Sequence, residues 1–221
     1  MLESMGARGA RSRFERARHA QAGSARARCG PVPSVDEARR RRHGFHVAVS
    51  PPLVARAQNG SLDAYRDLVA VFQDRMFALS VALCVDPHRA LRAAAHAFVR
   101  AHGTLGSLTD VNQVPTWLRH HVQNTSLAVA SGPSSELLAR LAALPREQER
   151  TTTALARIAG EGDQRVAEFL DLPVATVHNR LEAARRRLKR RAWRELGERY
   201  SRELPSKSRV FTDTVMGRLR G

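Results

Sequence analysis

The sequence predicts an all-α protein, and three observations support this fold class. Apolar residues recur at steps of three and four through most of residues 51–200, which is the period of an amphipathic helix. Aromatic residues make up only 5% of the chain and hydrophobic residues 43%, which favours aliphatic helix packing over a β-sandwich. Proline, glycine and serine interrupt the periodic segments. We therefore expect two small helical domains joined by a flexible linker, with a helix-turn-helix in the second.

Residues 1–50 are predicted to be a disordered basic tail. The segment is rich in Arg, Ala, Gly, Ser and Pro and has no apolar periodicity, so it cannot offset the entropy lost on ordering. Its role stays open between an arm that binds nucleic acid non-specifically, an organelle transit peptide, an upstream stretch wrongly included in the chain, and a tail without a specific role.

Residues 51–130 are predicted to form the first helical domain, which begins at Pro51-Pro52. Helices are expected at residues 53–59, 63–85, 87–102 and 114–129, with a loop at 103–110. Asp86-Pro87 should end one helix and start the next, because proline suits the first helical turn. Apolar side chains expected to face inward include Leu68, Phe72, Met76, Leu79, Leu83, Leu91, Ala94, Ala95, Phe98, Val99, Trp117, Leu118, Val122 and Leu127.

The second domain is predicted at residues 136–200, after a linker of Gly, Pro and Ser at 131–135 that would let the domains move independently. Its first helices are expected at 136–144 and 146–159. Residues 201–221 form a C-terminal extension with a short amphipathic helix, in which Phe211, Val215 and Leu219 recur at steps of four. That stripe is expected to dock on a partner groove, to pack on its own protein, or to fray.

The most informative stretch, residues 163–191, has the pattern of two helices joined by a tight turn. Asp163 is expected to cap the first helix, and Asp171 to adopt the left-handed geometry of a helix end. Pro173 cannot continue a helix interior. The second helix then carries one buried stripe at helical period, formed by Val177, Leu181, Ala184 and Leu188.

The opposite face of that second helix has the chemistry of a DNA-recognition helix. Short polar side chains near its N-terminus suit base edges in the major groove, and the arginines that follow suit phosphate. The alternative is an ordinary helical hairpin with a solvated basic face. Candidates for base or near-base contacts are Thr176, His178, Asn179 and Arg180. Candidates for phosphate contacts are Arg185, Arg186, Arg187, Lys189, Arg190 and Arg191.

The motif VAEFLDLPVATVHNRLEAARRRLKRR resembles the promoter-reading region of extracytoplasmic-function (ECF) sigma factors. The chain keeps the family's residues at Thr176-Val177, Arg180-Leu181 and Ala184-Arg185, and departs from them at Asp171 and at His178-Asn179. Further matches to the family pattern stand at Leu144-Pro145 with Arg150, in NGSLDAYRDLV, at Phe98 to Ala101, and at Trp117-Leu118-Arg119 with Asn124.

The resemblance implies that the first domain binds core RNA polymerase and helps to melt the minus-ten element, while the second reads the minus-thirty-five element. Arg119 and Asn124 lie where the family contacts the melted strand, and Trp117 is expected there or in the core. Leu91, Arg92, Ala95 and His96 stand at the family's polymerase-binding face, which usually carries acidic and polar residues. A reversed charge there costs binding energy, so polymerase binding, its weakening and its loss all stay open.

Composition and motifs exclude several other classes. A net charge of +16 points to a polyanionic partner. Cys29 and Cys84 lack metal-ligand spacing, and the histidines lack accompanying ligands, so we expect no metal and no cofactor. No apolar run could span a bilayer. No Walker loop, G-x-G-x-x-G or nucleophile elbow is present.

We therefore expect a cytoplasmic protein that is not an enzyme and has no small-molecule substrate. Its predicted partners are promoter DNA, core RNA polymerase and, as a further candidate, an anti-sigma factor. The predicted function is that of an ECF-type sigma factor. The first alternative is a sigma-like DNA-binding regulator that does not recruit polymerase, and the second is a protein-interaction module with solvated basic faces.

Overall fold

All regular secondary structure in the described part of the chain is helical in the computed structural model, which confirms the predicted all-α class. The structure describes residues 49–129 and 132–221. The predicted basic tail, apart from its last two residues, lies outside these ranges.

The first half of the described chain contains four helices. They are α1 (Pro51–Gln58), α2 (Leu62–Cys84), α3 (Pro87–Thr104) and α4 (Val114–Val129), with short 3-10 turns between α3 and α4. Ser61 and Asp86 cap α2 and α3, because their side chains accept backbone N–H groups that have no partner within the helix. Helix α2 ends where Val85 adopts a left-handed conformation, with φ 50°.

The second half contains five helices. They are α5 (Glu136–Ala142), α6 (Glu147–Arg157), α7 (Asp163–Leu170), α8 (Val174–Tyr200) and α9 (Val210–Arg220). Helices α5 and α6 are each shorter than predicted by two or three residues. Between α8 and α9 the chain passes through a 3-10 turn at Pro205–Lys207.

Helix α2 lies at the centre of the core and contacts α1, α3, α4, α6 and α9. Its side chains Tyr65, Phe72 and Phe77 are buried, as the helical period predicts. Two predictions of inward-facing residues are wrong. Leu127 is 63% exposed, because nine residues of helix place it about half a turn away from buried Leu118. Leu91 is 37% exposed, since it stands at the margin of the buried face of α3.

The two halves of the described chain pack against each other, chiefly through α2 with α6 and through α9 with α3 and α2, with a smaller contact between α4 and α7. A nearly buried ion pair joins Arg75 of α2 to Glu161 at 2.7 Å, and the Phe72 ring lies 6.2 Å from the Phe169 ring of α7. The Ser134 N–H donates to the Val85 carbonyl at 3.0 Å, which fastens the end of the linker segment. Separate domains at 51–130 and 136–200 stay a prediction.

Helix α9 packs on α2 and α3 of its own chain, one of the three outcomes considered for its apolar stripe. Phe211, Val215 and Met216 are buried, and the Phe211 ring meets the Phe98 ring of α3 edge to face at 6.1 Å. Just before α9, the Ser206 N–H donates to the Asp74 carboxylate at 2.9 Å. The C-terminal extension is thus part of the fold.

A membrane-crossing segment would need a long apolar helix, and none of the helices in residues 49–129 and 132–221 meets that requirement.

Candidate nucleic-acid interface

The connection between α7 and α8 consists of Asp171, Leu172 and Pro173. Asp171 has φ 55° and ψ 52°, the left-handed helix end that the sequence predicts. The Leu172 N–H donates to the Ala167 carbonyl at 2.9 Å, which satisfies one of the free carbonyls at the end of α7. Pro173 precedes the first residue of α8 in extended geometry. The turn is therefore short and held by its own backbone.

One expected cap is absent. Gly162 stands at the N-cap of α7, where no side-chain cap is formed, and Asp163 is the first residue of the helix. The Asp163 carboxylate instead lies 3.3 Å from Nδ1 of His178 on α8. The prediction that Asp163 caps α7 is wrong, because Asp163 lies one position inside the helix and its carboxylate contacts His178 of α8 instead.

The buried stripe of α8 is confirmed, since Val177, Leu181, Ala184 and Leu188 are all buried. It packs on α6 and α7. This packing fixes which side of α8 faces outward. Helix α7 contributes Val166, Ala167 and Phe169 to the same core; Phe169 was missed in the sequence, although it lies three residues beyond Val166, at helical spacing.

The N-terminal turns of α8 carry the candidates for base contacts. His178 and Asn179 are exposed, whereas Thr176 and Arg180 are half-buried. The Arg180 guanidinium donates to Oε1 of Gln148, at the start of α6, at 3.1 Å. Two of the four candidates thus stand on the open surface, and two lie closer to neighbouring helices.

Arg180 lines a cleft of about 300 Å³ between the two halves of the described chain. Arg119 and His120 of α4 line the same cleft, together with Leu79 of α2 and Leu172 of the turn. Candidate DNA-contacting residues from both halves therefore face one cleft. Periodicity alone could not predict this convergence, since it gives the face of a helix and not its neighbour.

The candidates for phosphate contacts fall into two groups. Arg186, Lys189 and Arg190 are exposed and form no ion pair within the described part of the chain. The others are partnered: Arg187 lies 3.1 Å from the buried Glu149 carboxylate, Arg185 lies 3.7 Å from Glu182, and Arg191 lies 2.7 Å from Glu195. Among these candidates, the unpaired charge therefore belongs to Arg186, Lys189 and Arg190.

Helix α8 is interrupted within this charged segment. Lys189 has φ 60° and ψ 162°, a backbone conformation that is essentially restricted to glycine. The segments on either side of it remain helical. The side chains of Arg186 and Arg190 therefore stand on either side of a kink. The sequence carries no glycine or proline there to signal it.

Arg119 and Asn124 of α4 occupy different environments. Arg119 donates to the Phe169 carbonyl and to Thr116, and its guanidinium lies 5.8 Å from the Phe169 ring centre. Burial lowers the pKa of Arg119, an effect that the nearby Asp171 carboxylate opposes. Asn124 is exposed and hydrogen-bonds His120 at 3.0 Å. In this structure, Arg119 supports the contact between α4 and α7, while Asn124 is open to a partner.

Trp117 and His121 form a ring pair on α4, with ring centres 5.2 Å apart. Trp117 is half-buried, between the two environments expected for it. His121 also hydrogen-bonds the Thr104 hydroxyl of α3 at 3.0 Å. Burial lowers the pKa of His121, and the positive charges of His120 and Arg100 lower it further.

The candidate polymerase-binding residues on α3 differ in their solvent exposure. Arg92 and His96 are exposed and Leu91 is partly so, but Ala95 is only 4% exposed. A partner that approaches this face of α3 would meet a guanidinium and an imidazole first. Ala95 could contribute only after neighbouring side chains move.

Comparisons with known proteins do not assign this chain to a family. The sequence matches no protein-family model, and no curated protein matches it.

Proposed function

We propose that this chain recognises promoter DNA through α7 and α8 and directs transcription initiation in the manner of an ECF sigma factor. The observation that carries the proposal is the arrangement of α8. Its apolar stripe is buried, and its outward side presents Asn179 and His178 first and then the unpaired charges of Arg186 and Arg190. Short polar groups at the start of a helix suit base edges, and guanidinium groups further along suit phosphate.

The short turn at Asp171 to Pro173 supports the same proposal. It joins α7 and α8 through three residues, a connection length usual for a DNA-binding helix-turn-helix. In such motifs the second helix enters the major groove and the first crosses the backbone. Helix α8 would be the recognition helix.

The test compares two single substitutions in α8. Arg186→Ala removes an exposed, unpaired cation and should weaken binding to all duplexes about equally, with the logarithmic salt slope reduced by about 0.9. Arg180→Ala should weaken binding with some loss of sequence preference. Fluorescence anisotropy on a labelled promoter fragment and a scrambled duplex measures both effects. Unchanged affinity for both variants at low salt would refute DNA binding by α8.

The second candidate function is a sigma-like regulator that binds DNA without recruiting polymerase. The observation that favours it is the exposed Arg92 guanidinium, with the exposed His96 imidazole one turn further along α3, where the family resemblance implies an acidic and polar polymerase-binding face. Like charges at an interface cost several kcal/mol, typically. A polymerase surface suited to an acidic partner would therefore be repelled.

Size-exclusion chromatography with sigma-free core polymerase from the same host separates the two candidates. Co-elution of this protein with the core enzyme supports the sigma-factor proposal. Separate elution, by a preparation that still binds DNA, supports the stand-alone regulator. The matched control is Arg92→Glu, which restores an acidic charge on α3 and should strengthen any association with the core enzyme.

A further inference from the structure

Helix α3 carries a row of basic side chains that extends beyond Arg92 and His96, the two exposed basic candidates for polymerase contact. Arg89, Arg92, His96 and Arg100 fall within about 80° of one another around the helix, and all four are exposed. Arg92 and Arg100 are separated by about 12 Å along the axis. We name these four residues the α3 stripe.

The charge of the α3 stripe is not compensated within the described part of the chain. Helix α3 contains no Asp or Glu, and Asp86 precedes it as the cap. Arg92 and Arg100 form no ion pair in residues 49–129 and 132–221. Some exposed arginines do form ion pairs, since Arg140 and Arg194 each pair with a glutamate four residues away.

The α3 stripe continues onto α4. The Arg89 guanidinium donates to the Val129 carbonyl at 3.3 Å, so this end of the stripe lies at the end of α4. At the other end, Thr104 hydrogen-bonds His121, whose ring meets that of Trp117. This surface has guanidinium groups on one helix and adjoining rings on the next. Nucleic-acid-binding surfaces combine the same two features: positive charge that contacts the phosphate backbone and rings on which bases stack.

We propose that the α3 stripe, with the adjoining Trp117 and His121 rings, is a second nucleic-acid-binding surface that holds the phosphodiester backbone. One feature favours nucleic acid over an acidic protein segment. The guanidinium groups of Arg92 and Arg100 can pair with phosphate or with carboxylate in a bidentate manner, but nucleic acid also supplies bases that can stack on the neighbouring rings.

The test uses the double variant Arg92→Ala/Arg100→Ala of the full chain. Anisotropy titrations between 50 and 200 mM salt use a labelled 30-nucleotide single strand and the corresponding duplex. Loss of two phosphate contacts should reduce the logarithmic salt slope by about 1.8 on duplex or about 1.4 on single strand. On duplex, this reduces the affinity lost across that salt range by about 12-fold. The strand type with the larger change identifies the natural form of the ligand.

The matched control is Arg56→Ala/Arg202→Ala, which removes two exposed arginines, one from α1 and one from the turn after α8, and should leave the slope unchanged. An unchanged slope in the α3 variant overturns the inference, as does a decrease no larger than in the control. A variant that loses affinity for polyglutamate but not for DNA also overturns it, and assigns the stripe to an acidic protein.

The inference does not depend on the proposed function. The α8 variant Arg186→Ala/Arg190→Ala in the same titrations distinguishes their failures. If only the α3 variant loses binding, the inference stands and DNA binding by α8 fails. If only the α8 variant loses binding, the proposed function stands and the inference fails. Loss in both variants supports both.

Discussion

Removal of the Glu161 carboxylate should destabilise the fold strongly. Arg75 and Glu161 are 2.7 Å apart, and their side chains are only 9% and 12% exposed. The Arg75 guanidinium also lies beside the Phe72 and Phe169 rings, 5.8 and 5.9 Å from their centres, and these rings limit its contact with water. Glu161→Ala would leave the Arg75 guanidinium nearly buried without a carboxylate partner.

The expected loss follows from the burial of this pair. Removal of one member of a buried ion pair costs about 3–5 kcal/mol. For a chain of this size, each kcal/mol corresponds to about 2–4 °C in Tm, so Glu161→Ala should lower Tm by about 6–20 °C. The control Glu198→Ala removes a carboxylate from an exposed pair with Arg194, and such pairs contribute at most about 1 kcal/mol.

Thermal and urea unfolding followed by circular dichroism measure both variants. The double variant Arg75→Met/Glu161→Leu removes both charges and should recover most of the lost stability, because the desolvation cost is removed with the pair. If Glu161→Ala costs no more than Glu198→Ala, the two halves do not pack together in solution as they do in this structure. The halves would then move independently, as the linker composition predicts.

Three further predictions concern stability. Gly197→Ala should lower Tm, because the new Cβ would lie 2.7 Å from Nη2 of Arg157 and 3.2 Å from the Arg157 carbonyl oxygen. In the control Gly217→Ala, the new Cβ meets nothing within 4 Å, so the variant should gain up to about 1 kcal/mol of stability from helix propensity. Lys189→Gly should raise Tm by relief of backbone strain, contrary to the usual effect of glycine in a helix; a lower Tm would show that the kink is absent in solution. Since the pKa of His121 is lowered, the folded state binds its proton less tightly, and stability should fall as pH drops below about 6.5. The Tm of His121→Gln should therefore fall less than that of the wild type between pH 7 and pH 5.5. An equal fall in both proteins would contradict the lowered pKa of His121.

The helical period of the sequence predicts most of the helices and their buried faces. In α8, Val177 and Leu188 are buried as expected, because a stripe at steps of three and four has only one way to meet a core. The turn at Asp171 was predictable for a local reason, since its geometry depends on neighbouring residues alone. Leu127 shows that the same rule, applied without counting the rotation between residues, places a side chain on the wrong face.

Contacts between distant segments could not be predicted from the sequence. Arg75 and Glu161 are 86 positions apart, and a lone arginine in a helix is ordinarily solvated. The docking of α9 on α3 through Phe211 depends on which apolar faces remain uncovered after the rest of the chain has packed. The cleft that Arg119 shares with Arg180 has the same origin.

The charge pattern of α3 could be predicted, but its consequence needed the structure. The sequence shows that Arg92 and His96 replace the acidic and polar residues of the resembled family. The structure adds that Arg89 and Arg100 extend the same face and that no described acidic residue pairs with Arg92 or Arg100. Whether these arginines find acidic partners depends on which residues are their neighbours in the folded chain. The periodicity of the sequence does not give those neighbours.

If α8 recognises DNA sequence, the full chain should select particular duplexes from a random pool. The most direct measurement is repeated selection of bound duplexes from a random pool by the full chain, in parallel with Asn179→Ala and Arg56→Ala. The wild type and Arg56→Ala should enrich one shared short motif, and Asn179→Ala should lose preference at one position within it. Failure of the wild type to enrich any motif, or an identical motif from Asn179→Ala, would contradict base recognition at the start of α8.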